Sequence, residues 1–305
     1  MKKSLIALAV LAASGAAMAQ SSVTLYGVAD AGVVKLAGDK TKMGSSTTMN
    51  NGNSRLGVRG IEDLGGGLKV GFNFETGLSL NDGATVASGD GFWARTAKMW
   101  IGGNWGTFQM GRTLSPSFYG VAAWELTGIT NYNLIGNTYG YGGGAVRNNS
   151  QFSYKTPDGL GGFSAEVGYI AKGNSATDQS KWDANVIYAN GPIGAGLSMN
   201  KLSGGKTNWS LGGQYNFGTF AVATSYNARR DGVRREGFTI GGRAQFGAFT
   251  VTADVARDRK NDGGKKYTNF LLEGKYAMSK RTFVYVAGLR VDDKNNYGLG
   301  IRHNF

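Results

Sequence analysis

The chain has 305 residues with 51 glycines, three prolines and no cysteine, and its formal net charge is +13. A disulfide scaffold is excluded, and the lack of a Gly-X-Y period and the 35 aromatic residues argue against collagen and disorder. The basic residues are spread along the chain and form no compact patch, so the charge does not indicate a nucleic-acid partner.

The first nineteen residues have the pattern of an export signal. Two lysines precede a short apolar run at 5–11, and a small-residue cleavage site follows at 17–19. The run is too short for a membrane anchor, and no stop-transfer pattern follows it. We therefore expect a cleaved signal peptide at 1–19 and one mature domain at 20–305. No later apolar stretch approaches the roughly 20 residues of a transmembrane helix.

The mature chain repeats an alternation of apolar and polar side chains. In the last segment Leu299 and Ile301 alternate with Gly300 and Arg302, and the segment ends on Phe305. Such alternation is typical of a strand with lipid on one face and water on the other. Read in this way, the sequence predicts sixteen strands, at 22–36, 53–62, 67–80, 91–103, 106–113, 147–157, 161–172, 181–190, 193–203, 207–217, 219–230, 235–246, 248–259, 266–277, 281–292 and 296–305.

This strand count predicts an all-β fold, a 16-stranded antiparallel transmembrane β-barrel. A chain without a transmembrane helix can cross a membrane only as a closed barrel, and an even strand number is typical of bacterial outer-membrane barrels. The alternative is a β-sandwich. It is disfavoured because the polar face carries charges along nearly every strand.

The connections between the predicted strands alternate in length. Short turns suit the periplasmic rim and longer polar segments suit the outer rim. The segment 114–146 is far longer than the others, with 33 residues, many aromatic side chains and Glu125 as its only charged residue. Such a long connection usually has a function. We expect it to be a third outer loop that folds into the lumen and narrows it, and a surface flap is the alternative.

Aromatic side chains lie where strands enter the short turns. Phe217, Phe246, Phe283 and Phe305 belong to this group. Aromatic rings favour the headgroup level of a membrane, so these four are predicted to form an interfacial girdle.

The inner face of such a barrel lines an aqueous channel, because sixteen strands enclose more space than side chains can fill. Strand parity places ten basic residues inside: Arg55, Arg59, Lys69, Lys98, Arg147, Lys155, Arg243, Lys275, Arg290 and Arg302. It also places six acids inside: Asp30, Glu75, Glu166, Asp183, Asp254 and Glu273. The excess of positive charge favours anions at a constriction. Alternatively, these charges pair off locally along a solvated wall.

Several segments resemble the trimeric general porins of beta-proteobacteria, the group that includes the neisserial porins. These are the segments 22–32, 54–69, 110–112 and 147–157, together with the last strand. The resemblance spans the mature chain, and 55–69 is its most specific part. It implies a sixteen-stranded homotrimer in the outer membrane, with a third loop folded into each pore. In anion-selective members, wall arginines face an acidic patch across the constriction.

The resemblance also suggests individual pore residues. By position Arg55 and Arg147 match wall arginines, and Glu75 matches a pore-lining acid. Arg95 lies where many members have an arginine, but its parity within strand 91–103 places it on the lipid face unless a β-bulge intervenes. Many members carry several acids in the long loop, whereas this chain has only Glu125 there. The predicted pore-lining and constriction set is Arg55, Arg59, Lys69, Glu75, Arg95, Glu125 and Arg147.

These observations predict a passive diffusion channel for ions and small hydrophilic solutes, with a weak to moderate preference for anions and no cofactor or metal. The alternative is a substrate-specific channel that uses an aromatic track formed by Trp124, Tyr132, Tyr139 and Tyr141. An enzyme is disfavoured because the one histidine, His303, is predicted to face outward and cysteine is absent.

Lipid is the other expected partner. Arg229, Arg230, Arg234 and Arg235 lie together near a predicted outer-rim connection. Their charge is suited to acidic lipopolysaccharide, although the cluster alone specifies no particular contact.

Overall fold

A computed structural model describes residues 21–85, 91–175 and 178–305. The predicted signal peptide at 1–19 lies outside these residues. Among the described residues, no helix is both long and apolar enough to cross a membrane.

The described part of the chain contains seventeen strands, which form one antiparallel sheet. They are β1 (Ser22–Lys35), β2 (Lys42–Gly44), β3 (Arg55–Gly65), β4 (Leu68–Gly77), β5 (Thr96–Gly103), β6 (Gly106–Leu114), β7 (Arg147–Lys155), β8 (Phe163–Ile170), β9 (Lys181–Asn190), β10 (Ile193–Leu202), β11 (Asn208–Asn216), β12 (Phe220–Arg229), β13 (Arg235–Phe246), β14 (Phe249–Asn261), β15 (Thr268–Ala277), β16 (Thr282–Val291) and β17 (Lys294–Asn304). A short 3₁₀ helix spans Lys172–Asn174.

The sheet closes on itself through β1. Val28 of β1 lies opposite Arg55 of β3 on one side and Asn304 of β17 on the other. The three-residue strand β2 pairs with β1 beyond the end of β3. The other sixteen strands form a closed antiparallel barrel, which confirms the predicted fold class and rules out the sandwich.

The two faces of the wall differ as a membrane barrel requires. Val23 and Leu25 of β1 are 71% and 67% exposed, whereas Asp30, with the opposite parity, is fully buried. The same alternation recurs around the barrel, with exposed apolar side chains outside and buried polar ones inside. The inward face is therefore the polar one.

Strand β16 is a correction to the sequence analysis. Phe283, predicted for the girdle, faces inward, where it pairs in register with Arg302. Arg290, predicted to line the lumen, lies on the outward face with the 56% exposed Val286. The inward residues Tyr285 and Leu289 are apolar because they pack with residues of the 114–146 segment. Both faces of β16 are thus apolar, so the alternation does not show which of its side chains face the lumen.

The other three predicted girdle residues are exposed. Phe217, Phe246 and Phe305 are 55%, 62% and 50% exposed and lie next to the short-turn ends of their strands. Phe217 stacks on Phe220 across its turn, with ring centroids 4.9 Å apart. Their position suits a membrane interface, and the girdle itself stays a prediction.

The 114–146 segment contains two short helices, α1 (Pro116–Ala122) and α2 (Leu134–Thr138). Ser115 caps α1, its side chain accepting a hydrogen bond from the Phe118 amide, and Pro116 takes the first helical position. Asn133 caps α2 by accepting from the Gly136 amide at 2.7 Å.

Both helices pack against the inward face of the wall. The Ser117 amide donates to Asp183 of β9 at 2.8 Å, and Ser198 of β10 donates to the Ser117 carbonyl at 2.8 Å. Beyond α1, the Tyr132 hydroxyl donates to Glu273 of β15 at 2.5 Å, and Lys275 donates to the Thr127 carbonyl at 2.9 Å. The segment is therefore held by polar contacts from strands on several sides of the barrel.

Helix α1 approaches β10 more closely than any side chain would permit. A Cβ at Gly196 would lie 2.0 Å from the carbonyl oxygen of Gly120. We expect Gly196→Val to push α1 off the wall, so that protease cleaves within 114–146 faster than in the wild type while the barrel stays folded. Limited proteolysis with heat-dependent gel mobility measures both properties.

Gly213→Val is the matched control, since a Cβ there meets nothing closer than 3.5 Å. If Gly196→Val were as resistant to protease as Gly213→Val, the close packing of α1 on β10 would be refuted.

Candidate functional site

A cavity of about 400 Å³ lies between the inward face of the wall and the 114–146 segment. Strands β3 to β7 and β17 form its wall side. The 114–146 segment supplies the opposite side with uncharged residues, among them Tyr119, Ile129 and Thr130. The charged residues that line the cavity are Arg55, Glu75, Arg95, Lys98, Arg147 and Arg302.

Glu75 is the centre of this charged cluster. Its carboxylate accepts a hydrogen bond from Arg95 Nε at 2.7 Å and lies 3.4 Å from Arg55 Nε. The Tyr26 hydroxyl also donates to it, at 3.0 Å. The Glu75 side chain is 11% exposed, so solvent screens these contacts incompletely. One carboxylate thus orients two guanidinium groups along the wall.

Arg147 joins the same cluster through the backbone. Its Nε donates to the carbonyl oxygen of Arg95 at 2.6 Å. Arg302, from the last strand, is anchored by Asn51, whose side-chain oxygen accepts from Nη1 at 3.0 Å. Lys98 donates to Gln109 at 2.7 Å. The direct hydrogen-bond partners of these three cations are therefore neutral.

The position of Arg95 corrects the parity argument. The predicted strand 91–103 begins only at Thr96. Because Arg95 precedes the strand, its side chain does not follow the alternation, and it turns inward to Glu75 without any β-bulge.

Glu125 does not line the cavity. Both of its oxygens accept hydrogen bonds within the segment, from the Thr127 hydroxyl and from the Thr127 and Ile129 amides, at 2.7–3.0 Å. The residue is 5% exposed, and burial raises the pKa of its carboxyl above the ordinary value. Its role is to shape the turn that follows α1, so the segment presents no acid to the arginines of the wall.

Two further predicted residues face inward but lie outside the cavity. The Arg59 guanidinium sits over the Tyr26 ring, 5.4 Å from its centroid. Lys69 is exposed and pairs in register with Asp63 near the short turn between β3 and β4. Neither residue contributes to the cluster around Glu75.

Two tyrosines at the cluster were not predicted. Tyr26 has the same strand parity as Asp30, which was placed inside, so the parity rule could have found it. Tyr119 lines the cavity from α1, where burial raises its pKa to about 12. No alternation marks an irregular segment, so the sequence held no signal for Tyr119.

The aromatic residues proposed for a substrate track are buried. Trp124, Tyr132 and Tyr139 are at most 1% exposed and belong to apolar clusters, and Tyr141 alone of the four reaches the cavity lining. They form no continuous surface for a solute.

A family model described as Gram-negative porin matches residues 5–296. The chain belongs to the Gram-negative porin family. The sequence is 37% identical to outer membrane porin protein 32 of Delftia acidovorans, over 98% of this chain and 92% of that protein. It is 26% identical to the major outer membrane protein P.IB of Neisseria lactamica, over the full length of both. These relatives confirm the resemblance.

Solved structures of outer-membrane proteins have the same fold. An anion-selective porin from Comamonas acidovorans superposes with a TM-score of 0.78 at 27% identity, covering 94% of this chain and all of that one. OmpT of Vibrio cholerae, at 17% identity and a TM-score of 0.69, shares the fold over 93% of the chain.

Family membership and the closed barrel establish an outer-membrane channel for diffusing solutes. Porins are passive channels rather than enzymes, which confirms that the chain has no catalytic function. Among the described residues, no group of histidine, aspartate and glutamate side chains is arranged to hold a metal ion.

Glu75→Gln tests the cluster at Glu75. The substitution keeps the shape but removes the charge that two arginines share, so we expect a loss of about 1–3 kcal/mol in the free energy of unfolding. Urea unfolding in detergent, followed by tryptophan fluorescence, measures the change.

Asp178→Asn is the control, because the ion pair of Asp178 with Lys172 is 80% and 67% exposed and such pairs contribute about 0–1 kcal/mol. Equal effects of the two substitutions would contradict a structural role for Glu75.

Proposed function

We propose that the channel conducts ions and small hydrophilic solutes passively, with a weak to moderate preference for anions. The observation that carries the proposal is the charge of the cavity lining, which has five basic side chains and one acid. The anion-selective relative from Comamonas acidovorans supports the same direction.

The effect depends on where the charges lie. Salt screens exposed charges beyond a Debye length of about 8 Å at physiological ionic strength, so a wide lumen would show little selectivity. In the cavity, the arginine wall faces uncharged residues of the 114–146 segment at close range. A permeating ion is then within reach of the wall charges, and no opposing acid on the segment attracts cations.

We further propose that the 114–146 segment is the pore constriction. Its contacts with inward-facing residues of β9, β10 and β15 support this role. The end of the barrel with the longer connections would face the cell exterior, as is usual for bacterial outer-membrane barrels. The homotrimer and cleavage after Ala19 stay predictions, and native mass spectrometry of the purified protein would test both.

The structure favours a general channel over a substrate-specific one. A dedicated aromatic track would need exposed rings in succession, and all four candidate rings are buried. The accessible groups are mostly charged or small polar side chains, which interact with many solutes and select by size and charge.

Arg55→Gln with Arg147→Gln tests the anion preference. The double substitution leaves three of the five basic residues around the cavity, so we expect the chloride-to-potassium permeability ratio to fall by about twofold or more. The measurement is the reversal potential of single channels in planar bilayers under a KCl gradient.

Arg290→Gln is the control, because Arg290 lies on the outward face and is bonded to Asp293 at 2.8 Å. Its reversal potential should equal that of the wild type. A double variant with unchanged selectivity would overturn the role of the cavity arginines.

Liposome swelling separates the general channel from the substrate-specific one. Uptake of neutral sugars should decrease smoothly with solute size and rise linearly with concentration, because no binding site saturates. Uptake that saturates, or that distinguishes sugar isomers of equal size, would favour the substrate-specific alternative.

A further inference from the structure

The outward face carries a basic patch at the long-loop end of β12, β13 and β14. It consists of Arg230, Arg234 and Lys260 around Glu236, and is called the outer basic patch here. Glu236 has the parity of Ile240, which is 59% exposed on the apolar outer surface. Cations on a lipid-facing wall are costly at the membrane midplane and are tolerated near its interfaces.

Glu236 holds the three cations together. Its carboxylate is 1% exposed, and the Nε atoms of Arg230 and Arg234 both donate to its Oε1 at 2.9 Å. Lys260 Nζ lies 3.5 Å from Oε2. A single carboxylate compensates only one of these charges, and each guanidinium carries more N–H donors than one carboxylate oxygen can accept. The cations are 34–54% exposed, so they can reach a further anion.

Two aromatic rings support the patch from below. Trp209 and Tyr226 stack with their centroids 5.5 Å apart, and the Arg230 guanidinium lies 5.9 Å from the Trp209 ring. The Tyr226 hydroxyl reaches Glu236 at 3.4 Å. Tryptophan and tyrosine favour the headgroup depth of a membrane. The rings therefore place the outer basic patch at the level where lipid phosphates lie.

The neighbouring residues Arg229 and Arg235 differ from the outer basic patch because their side chains face inward. Arg235 faces inward and is bonded to Asp258 at 3.0 Å and to Asp292 at 2.6 Å, so two acids neutralise it. Arg229 pairs with Arg235 in register and shares the inward face. Of the four rim arginines in the sequence, only Arg230 and Arg234 thus present charge to the outside.

We propose that the outer basic patch binds the phosphate groups of lipopolysaccharide in the outer leaflet. The guanidinium groups would bind the phosphate by charge-assisted hydrogen bonds. The acyl chains would lie against the exposed apolar side chains below, including Leu211, Phe238 and Ile240. The proposal rests on the orientation given under Proposed function, with the long-loop end at the cell exterior.

The test is lipid binding by the purified, refolded protein in detergent, followed by native mass spectrometry. The probe is bisphosphorylated lipid A, compared with dephosphorylated lipid A and inorganic phosphate. We expect Arg230→Gln with Arg234→Gln, and likewise removal of the lipid phosphates, to weaken binding by about tenfold or more. Inorganic phosphate should compete only weakly, since it lacks the acyl chains.

Arg281→Gln is the matched control, because Arg281 is an exposed arginine in the short turn between β15 and β16, at the opposite rim. Its lipid A affinity should equal that of the wild type. Lys260→Gln is a second test variant, since Lys260 makes the longest contact to Glu236. Heat-dependent gel mobility confirms that each variant is folded.

Three results would overturn the proposal. They are wild-type affinity in the folded double variant, equal binding of dephosphorylated lipid A, and displacement of lipid A by an equal concentration of inorganic phosphate. A changed oligomer mass with unchanged lipid binding would instead assign the patch to contacts between copies of the chain.

Orientation is tested separately, because the chain has no cysteine. Lys265→Cys, in the exposed connection after β14 at the same end of the barrel, should react in intact cells with a maleimide on a polymer too large to pass the channel, and no reaction would refute the outer-leaflet assignment. The double variant should keep the wild-type reversal potential. If the wild-type channel showed no anion preference but still bound lipid A, only the proposed function would be refuted.

Discussion

A chain that crosses a membrane must pair its backbone N–H and C=O groups within itself, because hydrocarbon offers them no partner. In this protein the requirement is met at β1, which pairs with β3 on one side and β17 on the other. The joint is reinforced from inside. The Asp30 carboxylate accepts hydrogen bonds from Tyr285 at 2.6 Å and from the Gly52 amide at 2.8 Å. The position of every inward-facing residue follows from this closure.

A closed barrel of this width has no single apolar core, so its interior is stabilised largely by polar contacts. The acids Asp183 and Glu273 could have balanced the positive charge of the cavity lining. They instead accept hydrogen bonds from the 114–146 segment. Glu125 is bonded within the segment. These acids do not line the cavity, and Glu75 is the one acid among the five basic residues that do. The charge imbalance at the cavity is thus a consequence of how the segment is held.

Prediction from sequence succeeded where one rule governs a whole strand. Lipid on one side and water on the other impose the two-residue alternation, so most strands were placed within a few residues of their observed bounds. Prediction failed where a strand face contacts other protein residues instead of lipid or water. On β16 the inward residues Tyr285 and Leu289 pack against the 114–146 segment rather than water. Both faces of the strand are therefore apolar, and the alternation could not show which face points inward. Arg95 escaped the rule because it precedes its strand.

The barrel, its sixteen strands and the general basic character of its interior could be predicted from the sequence alone, because the membrane imposes a periodic pattern on every strand. Which charges share a cavity depends on the folded arrangement. Arg55, Arg95 and Arg147 are distant in sequence and meet through Glu75 and a backbone carbonyl, while Glu125 is buried by its own turn. The physical reason is that alternation reports only the side of the wall on which a residue lies. The depth of each side chain, and its partner there, depends on strand register and on the path of an irregular segment that has no period.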